Sequence, residues 1–540
     1  MTLGDLLADL VDERPDAVLV IDGEDDVRVT RGEFLARTAA LRDVLRERGV
    51  GEGDCVGVML PNWSDALVWQ FAAAALGAHV IGINTRYGTG DIAHVLEKAR
   101  PAVVAVAHDF LGIDLAGRLR AALPEAGVPA PEVAVVAGPG RPPVDAAAAA
   151  RHDVGAGAWV PPEPTGPVPD PATLRGGPDA LAVAFTTSGS TGRPKLAAHL
   201  GSGVATHARA VAAAGGWDES CVSLVVLPLS GVFGYVPAIA AIAAGGAVLL
   251  EPRFDPAQVL RHMTRHRVTH LACADDISGR LMDAWRAQPV DLSSWRRLLL
   301  ADFYGSSAAV AAWAEDETAT PAYGVYGSSE LFALISFWHP ADPRPQRWRG
   351  GGRPVSDGIE VRAVDLFTGE SLTGDEPGEL QFRGYNVVDG YLGDHDGETR
   401  AAAFTEDGWF RSGDLGTAHP DGSFGYLNRI GDSLRLKGFL VDPAEIENRL
   451  AEHPDVGRTK VVGITVSGET RAVAFVEPAE GATPDPAVLR DWCAASLARF
   501  KVPESVHVIP EMPTTVGTNG SKIRAAALRT LAEQLAAQEA

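Results

Sequence analysis

The residues with the clearest chemical potential form the run Phe185-Thr-Thr-Ser-Gly-Ser-Thr-Gly-Arg-Pro-Lys195. Within it, Thr187, Ser188, Gly189, Ser190, Thr191 and Gly192 are small or hydroxylated and follow an apolar strand predicted over 181–185. Backbone N–H groups and hydroxyls in such a loop can wrap an anion's oxygens, and Lys195 adds a point charge. The loop is not a Walker A sequence, because Pro194 precedes the lysine and the GxxxxGK spacing is absent. A flexible Ser/Gly linker is the competing reading, although a linker rarely ends in Arg-Pro-Lys after a buried strand.

Four further segments carry usable groups. Tyr326-Gly327-Ser328-Ser329-Glu330 offers a ring that can stack on a base, hydroxyls for phosphate and a carboxylate for Mg²⁺. Asp414, in Gly408-Trp-Phe-Arg-Ser-Gly-Asp-Leu-Gly416, is expected on a tight turn where one carboxylate could take both ribose hydroxyls. Arg429-Ile-Gly431-Asp-Ser-Leu-Arg435-Leu-Lys437-Gly438-Phe439 lies at the junction of a β-rich region and the C-terminal tail. Asn519-Gly-Ser-Lys522-Ile-Arg524 reads as a glycine-borne loop presenting one lysine. Each of these alone also reads as an ordinary turn or a solvated side chain. Lysine is scarce, however: only six of the 47 basic residues are lysine, and Lys195, Lys437 and Lys522 fall in these motifs. A compact ammonium on a flexible stem does what arginine's planar fork does not.

These residues need a large frame. At 540 residues the chain exceeds one core, since single hydrophobic cores stop growing at roughly 250–300 residues. Helices are predicted over 33–48, 64–76 and 89–99, alternating with strands over 54–60, 79–83 and 102–107. That alternation implies parallel α/β layers. Residues 138–179, rich in Gly, Pro and Ala, read as a surface excursion, and the alternation resumes to about 300. The apolar run 235–250 contains Pro237 and Gly245-Gly246, so it reads as a buried helix, a turn and a strand. From 351, short alternating segments at 358–364, 378–382 and 425–426 suggest an antiparallel β subdomain. A tail of strand 433–436, helix 443–451, strands 459–466 and 470–476, helix 486–498 and a last helix completes an α+β unit.

Composition removes several classes of function. A net charge of −23 argues against a nucleic-acid binder, which would carry a basic stripe. Cys55, Cys221, Cys273 and Cys493 are too far apart for a disulfide scaffold or a zinc finger and fit a reducing cytosol. The first residues, MTLGDLLADLVDERPD, lack a basic n-region, and no apolar run reaches the roughly 20 residues a bilayer needs. A soluble cytoplasmic protein without a membrane span is expected; the oligomeric state is not readable. No HExxH, GxSxG or strand-borne GxGxxG occurs, and His262 and His266 are expected on a solvated helix face rather than on a metal.

Taken together, in this order and at these separations, the five motifs resemble those of the ANL superfamily of adenylate-forming enzymes. That superfamily comprises acyl- and aryl-CoA synthetases, NRPS adenylation domains and luciferases. The likeness runs from about Leu35 to Arg529 and includes the milder echoes Leu60-Pro-Asn62 and Asn84-Thr-Arg-Tyr87. It implies an N-terminal domain over 1–428 and a mobile C-terminal domain over 429–540, hinged at Gly431. It further implies that residues 187–195 hold the β- and γ-phosphates of ATP, with Gly327 and Ser328 beside them. Tyr326 would stack on adenine, Ser329 would bind phosphate and Glu330 would hold Mg²⁺. Asp414 would bind the ribose and Arg429 the ribose or phosphate, while Lys522 would catalyse adenylation. Arg435, Lys437 and Gly438 would face the adenylate in a second half-reaction, after the C-terminal domain swings. CoA enters as acceptor from the resemblance alone.

Four departures bear on the substrate. The family's aromatic-His pair is replaced in Leu227-Pro-Leu-Ser230-Gly231-Val-Phe233-Gly, and its Gly-Gly-Ala-Pro stretch by Ala301-Asp302-Phe303-Tyr304-Gly-Ser. The Gly usual after the loop lysine is Leu196, and the hinge position is Gly431. Ser230 and Gly231 are expected to enlarge the pocket, while Phe303 and Tyr304 could stack on a ring, which favours an aryl or other bulky acid. The same departures suit an ATP-dependent diazotase that activates nitrite toward an aromatic amine, as some relatives resembling fatty-acid-CoA ligases do. A ligase specialised for one half-reaction and a non-catalytic nucleotide binder are the remaining readings.

Overall fold

The computed structural model describes the chain except residues 176–178, 188–193, 304, 431–433, 437–438, 442, 467–468, 498, 518–519 and 540. Ser188 to Gly192, Tyr304, Gly431, Lys437 and Gly438 therefore lie outside the described residues. The backbone alone is described at several further positions, Arg435 and Lys522 among them.

The predicted alternation folds into two sheets built mainly of parallel strands. One runs Ala322–Gly324, Arg297–Ala301, His270–Ala274, Val222–Val225, Ala247–Leu250 and Val18–Asp22, with Val27–Thr30 antiparallel at its edge. The other runs Leu181–Thr186, His79–Gly82, Cys55–Met59, Val103–Ala107 and Glu132–Val136 in parallel. Its strands read as unbroken apolar runs because helices cover both faces. Helices Ser64–Ala74 and Val232–Ala243 are almost wholly buried, and one continuous apolar cluster takes in both helices and both sheets.

Residues 138–179 are more than an excursion. They supply the short helix Ala146–Ala150 and the strand Ala158–Trp159, which extends the second sheet beside Glu132–Val136. The arithmetic of exposure explains it: Trp159 is a large ring that must be covered, and it stacks under the Arg48 guanidinium 4.2 Å away. The helix Leu3–Glu13, whose start is fixed by a Thr2–Asp5 capping box, was likewise not predicted. Nor do His262 and His266 lie on a solvated face, although Thr264 and Arg265 between them do. His262 Nδ1 meets the buried carboxylate of Glu251 at 2.5 Å, and His266 is only 6% exposed.

From 336 to 429 the chain forms an antiparallel sheet in the order Ser336–Phe337, Gly351–Pro354, Phe424–Arg429, Phe410–Ala418, Gly378–Gly384, Ile359–Val364 and Ser371–Leu372. After it, Val456–Val466, Glu469–Pro478 and Ser505–Val508 make a separate sheet flanked by Pro443–Ala451, Pro486–Ala494 and Ala525–Glu539. Two apolar clusters belong to this tail alone. Among the described residues no helix is long and apolar enough to cross a membrane.

One buried acid in this frame is not catalytic and has a measurable consequence. Asp22 ends the strand Val18–Asp22, where its Oδ1 accepts the Ser64 N–H at 2.7 Å and caps the helix Ser64–Ala74. Burial pushes its carboxyl up to about 7. The folded state therefore keeps a proton that the unfolded state releases near pH 4, and stability falls as pH rises from about 4 to about 7. In Asp22→Asn that slope should flatten by as much as about 4 kcal/mol between the two ends of the window. Urea midpoints of both proteins at pH 5 and pH 8 test this, and parallel slopes would contradict it.

Candidate active site

The Ser/Gly/Thr run is carried by a hairpin. Leu181–Thr186 pairs antiparallel with Leu196–Leu200, at the edge where the parallel strands of the second sheet end, and residues 187–195 span the end of this pair. The hairpin closes with Thr187 N–H to Lys195 O at 2.8 Å and Lys195 N–H to Thr187 Oγ1 at 3.2 Å. The segment Asn84-Thr-Arg-Tyr87 and the helix Thr89–Ala99 after it brace the two feet. Tyr87 Oη and Thr186 Oγ1 lie 2.6 Å apart, and buried His94 donates from Nε2 to Pro194 O at 2.6 Å. Lys195 itself is exposed, with its ammonium 5.1 Å from the Tyr391 ring centre.

The Tyr326–Glu330 segment lies directly against that hairpin. Ser329 Oγ donates to Thr186 O at 3.3 Å, and His199, on the returning strand, donates from Nε2 to Ser329 O at 2.7 Å. Burial raises the Glu330 carboxyl above the usual carboxylate range, and the charges of Arg429 and Lys195 work against that rise. Such a carboxylate suits a divalent cation, which would offset the lost hydration. Among the described residues no three His, Cys, Asp or Glu side chains converge as a metal cage. Mg²⁺ fits that arrangement, since it is commonly held by one or two carboxylates plus substrate phosphates and water.

Asp414 is not on a tight turn. It sits within the strand Phe410–Ala418, opposite Arg429 on Phe424–Arg429, with a register shift just beyond it between Leu415 and Gly416. Gly413 takes φ +69°, the left-handed region that a tight bend needs, so a bulged strand does here what a turn was expected to do. Asp414 accepts the Tyr326 hydroxyl at 2.6 Å and pairs with Arg429 at 3.1 Å. Tyr326 is 7% exposed, parallel-stacked on Phe382 and edge-on to Phe424. Arg429 is further held by Ser412 O at 2.6 Å. Three segments separated by more than two hundred residues at the extremes thus converge: the 187–195 hairpin, 326–330, and the Asp414–Arg429 pair.

The segment of Ser230, Gly231 and Phe233 begins the buried helix Val232–Ala243, with Gly231 at its N-cap. Asn62 fixes its approach. The Asn62 amide donates to Leu227 O at 2.9 Å and Glu251 O at 3.2 Å, and its Oδ1 accepts Leu229 N–H at 2.9 Å. On the Ser230 side the pocket is not enlarged. A Cβ added to Gly82 would lie 2.5 Å from Ser230 Cα, so the backbones have closed on the space a bulky residue would fill. One cavity there, of about 20 Å³ and bounded by Gln70, Gly82, Ser230 and Tyr235 among others, has room for about one water. Across the first sheet, Asp302 and Phe303 sit on a loop held by Asp275, which accepts Phe303 N–H at 3.0 Å and both Ser306 N–H and Oγ at 2.9 Å. Asp275 is the first residue of the helix Asp275–Ala287. The expected Lys522 loop is a β-hairpin, Thr514–Gly517 with Gly520–Ile523, and the strand bearing Lys522 approaches that same helix.

A hydroxylated loop ending in lysine, a partly buried acid beside it and a carboxylate–guanidinium pair under an aromatic cluster make a site suited to a nucleotide on a two-part α/β frame. Its family follows from comparison: residues 7–392 match the AMP-binding enzyme family and residues 445–517 the AMP-binding enzyme C-terminal domain. The chain belongs to that family, the ANL adenylate-forming enzymes, and is an AMP-forming acid-CoA ligase-like enzyme. It is 30% identical to pyochelin synthase PchD of Pseudomonas aeruginosa over 91% of this chain and 86% of that one. It is 29% identical to a feruloyl-CoA synthase of Amycolatopsis over 90% of this chain and 91% of that one. ATP-bound MatB of Rhodopseudomonas palustris superposes with a TM-score of 0.82 at 25% identity, covering 99% of this chain and all of the other.

Tyr326→Phe removes one hydroxyl and leaves the aromatic cluster. A hydrogen bond to a charged acceptor contributes about 1.5–3 kcal/mol, so KM for ATP should rise about tenfold or more with the fold intact. Initial rates against ATP concentration measure this. An unchanged KM would mean that the hydroxyl does not organise Asp414.

Proposed function

We propose that this enzyme condenses a carboxylic acid with ATP to an acyl-adenylate and pyrophosphate, and then transfers the acyl group to the thiol of CoA. The observation that carries the reading is the convergence of the 187–195 hairpin, Glu330 and the Tyr326–Asp414–Arg429 group around one region. In the first step a carboxylate oxygen of the substrate attacks the α-phosphorus. The bond from that phosphorus to the bridging oxygen breaks, and pyrophosphate carries the electron pair away. Negative charge spreads over the transferring group, so the cations of Lys195, Arg429 and Lys522 act where charge develops. Mg²⁺, held through Glu330, would neutralise phosphate oxygens. Ser329 and the hydroxyls of 187–191 would hold the leaving phosphates, and Asp414 the ribose.

In the second step the thiol attacks the acyl carbonyl, AMP leaves with its electron pair and the thiol proton passes to solvent. Both chemistries need one surface, which supports a C-terminal unit from 429 onward that turns about Gly431 and exchanges Lys522 for Arg435, Lys437 and Gly438. The acid we assign is an aryl or other flat acid lying along the 301–305 side. Phe303 is partly exposed there and supplies a ring face, whereas the Ser230 side offers room for a single water.

The test is AMP and pyrophosphate release from ATP and Mg²⁺ against aryl and fatty acids, with and without CoA, and against nitrite with aromatic amines. Acid-dependent release with a CoA thioester product supports the ligase. Release that requires nitrite and ignores CoA replaces it with a diazotase, and binding of ATP without any release replaces it with a nucleotide-binding role. Lys522→Ala should slow ATP–pyrophosphate exchange by about 10²- to 10³-fold with folding unchanged. Exchange at the wild-type rate would remove Lys522 from the first step.

A further inference from the structure

Directly after Glu330 the backbone does something costly. Phe332, Ala333 and Leu334 take φ values of +62°, +47° and +44°, three consecutive non-glycine residues in the left-handed region. For residues with a Cβ each such conformation costs roughly 1–2 kcal/mol. Strain of this kind persists only where the surroundings over-determine it, and it concentrates at functional sites.

The surroundings do over-determine it. Ala333 N–H donates to Ser328 O at 3.0 Å, Ile335 N–H to Tyr326 O at 3.1 Å and Val388 N–H to Glu330 O at 2.7 Å. The Asn386 amide donates to Leu331 O at 2.9 Å. Two buried histidines grip the turn from either end: His199 donates to Ser329 O at 2.7 Å, and His207 donates to Ala333 O at 2.8 Å. Between them Phe332, 2% exposed, lies 4.6 Å from the His199 ring and 5.5 Å from the His207 ring. His199 stands on Leu196–Leu200, the strand that begins one residue after Lys195, and His207 on the helix Gly201–Gly215 that follows it. The foot of the phosphate hairpin and the Glu330 turn are therefore fixed by one continuous stretch of chain.

We propose that His199 and His207 are positioning residues that hold the strained 328–335 turn so that the Glu330 carboxylate is set for Mg²⁺–ATP before the nucleotide arrives. The inference rests on Glu330 being the metal-binding acid. Burial holds both imidazoles down to about 4, so they serve as neutral donors at working pH. Neither ring touches nucleotide in this assignment. Their effect passes through the backbone carbonyls of Ser329 and Ala333.

The experiment is calorimetric titration of the intact enzyme with Mg²⁺–ATP and with ATP in EDTA, in the absence of acid. His199→Leu and His207→Leu should weaken Mg²⁺–ATP binding by about tenfold each, the loss of one buried hydrogen bond, and metal-free ATP by less than about twofold. His199→Gln and His207→Gln, which return an N–H near the Nε2 position, should recover most of it. Ala333→Gly relieves the left-handed cost and should restore binding in the His207→Leu background. Where a leucine variant does not fold, His199→Asn and His207→Asn, with a shorter amide reach, take its place. Full Mg²⁺–ATP affinity in the leucine or asparagine variants, equal loss with and without Mg²⁺, or no rescue by Ala333→Gly would overturn the proposal. Glu330→Gln separates the two levels. If it leaves Mg²⁺–ATP binding intact, the metal role of Glu330 fails. If it weakens binding while the histidine variants do not, only the positioning role fails.

Discussion

The pairing of Asp414 with Arg429 across two antiparallel strands is the constraint on which the Tyr326 end of the candidate site depends. A carboxylate at 6% exposure is stable only if its lone pairs are met, and here a hydroxyl and a guanidinium meet them. Strand side chains alternate faces, so a one-residue slip in register would turn Asp414 away from both partners. The shift between Leu415 and Gly416 and the left-handed Gly413 fix that register locally. Tyr326 enters the same arrangement from a distant segment, and the rings of Phe382, Phe424 and Tyr426 surround it. Arg429 is then both the partner of Asp414 and the last strand residue before the chain passes to its C-terminal unit.

A second constraint comes from the ends of the parallel strands. In open α/β sheets, ligand-binding loops gather beyond the carboxyl ends of the strands. Val222–Val225 leads into the Ser230 segment, Arg297–Ala301 into Asp302 and Phe303, and Leu181–Thr186 into the phosphate hairpin. Asn62, after Cys55–Met59, ties the second sheet to the first through carbonyls at Leu227 and Glu251. The helix Asp275–Ala287 ties the loop after Arg297–Ala301 to the Lys522 hairpin: its first residue holds Phe303 and Ser306, and the helix meets the strand Gly520–Ile523.

What the sequence made legible follows from the range of each signal. Apolar periodicity is local, so the strand at Cys55–Met59 and the helix at Thr89–Ala99 stand where spacing put them. Motif chemistry is local as well, and the five motifs identify the family without any structure. The failures share one cause: each depends on a partner in another element. Asp414 reads as a turn residue because Ser-Gly-Asp is turn-like, and only Arg429 fifteen residues on makes it a bulged strand. Ser230 reads as vacated space because the approach of Gly82 has no signature in composition. His262 reads as solvated because Glu251, which buries it, belongs to another element. His199 and His207 carried no motif at all; a signal existed only in two histidines eight residues apart in an otherwise Ala- and Gly-rich stretch.

The choice of histidine at those two places has a physical logic. The carbonyls of Ser329 and Ala333 belong to buried residues on either side of Phe332, whose ring packs with those of Phe185 and Tyr235. A lysine or arginine donor there would carry a charge into low dielectric and would compete with the metal for Glu330. An imidazole held neutral by burial supplies one N–H and no charge. The electrostatic field at Glu330 is then left to Lys195 and Arg429, and, in the proposed reading, to the cation that the carboxylate would receive. In the proposed arrangement the backbone strain at 332–334 would be returned as a carboxylate that need not reorient when Mg²⁺–ATP binds.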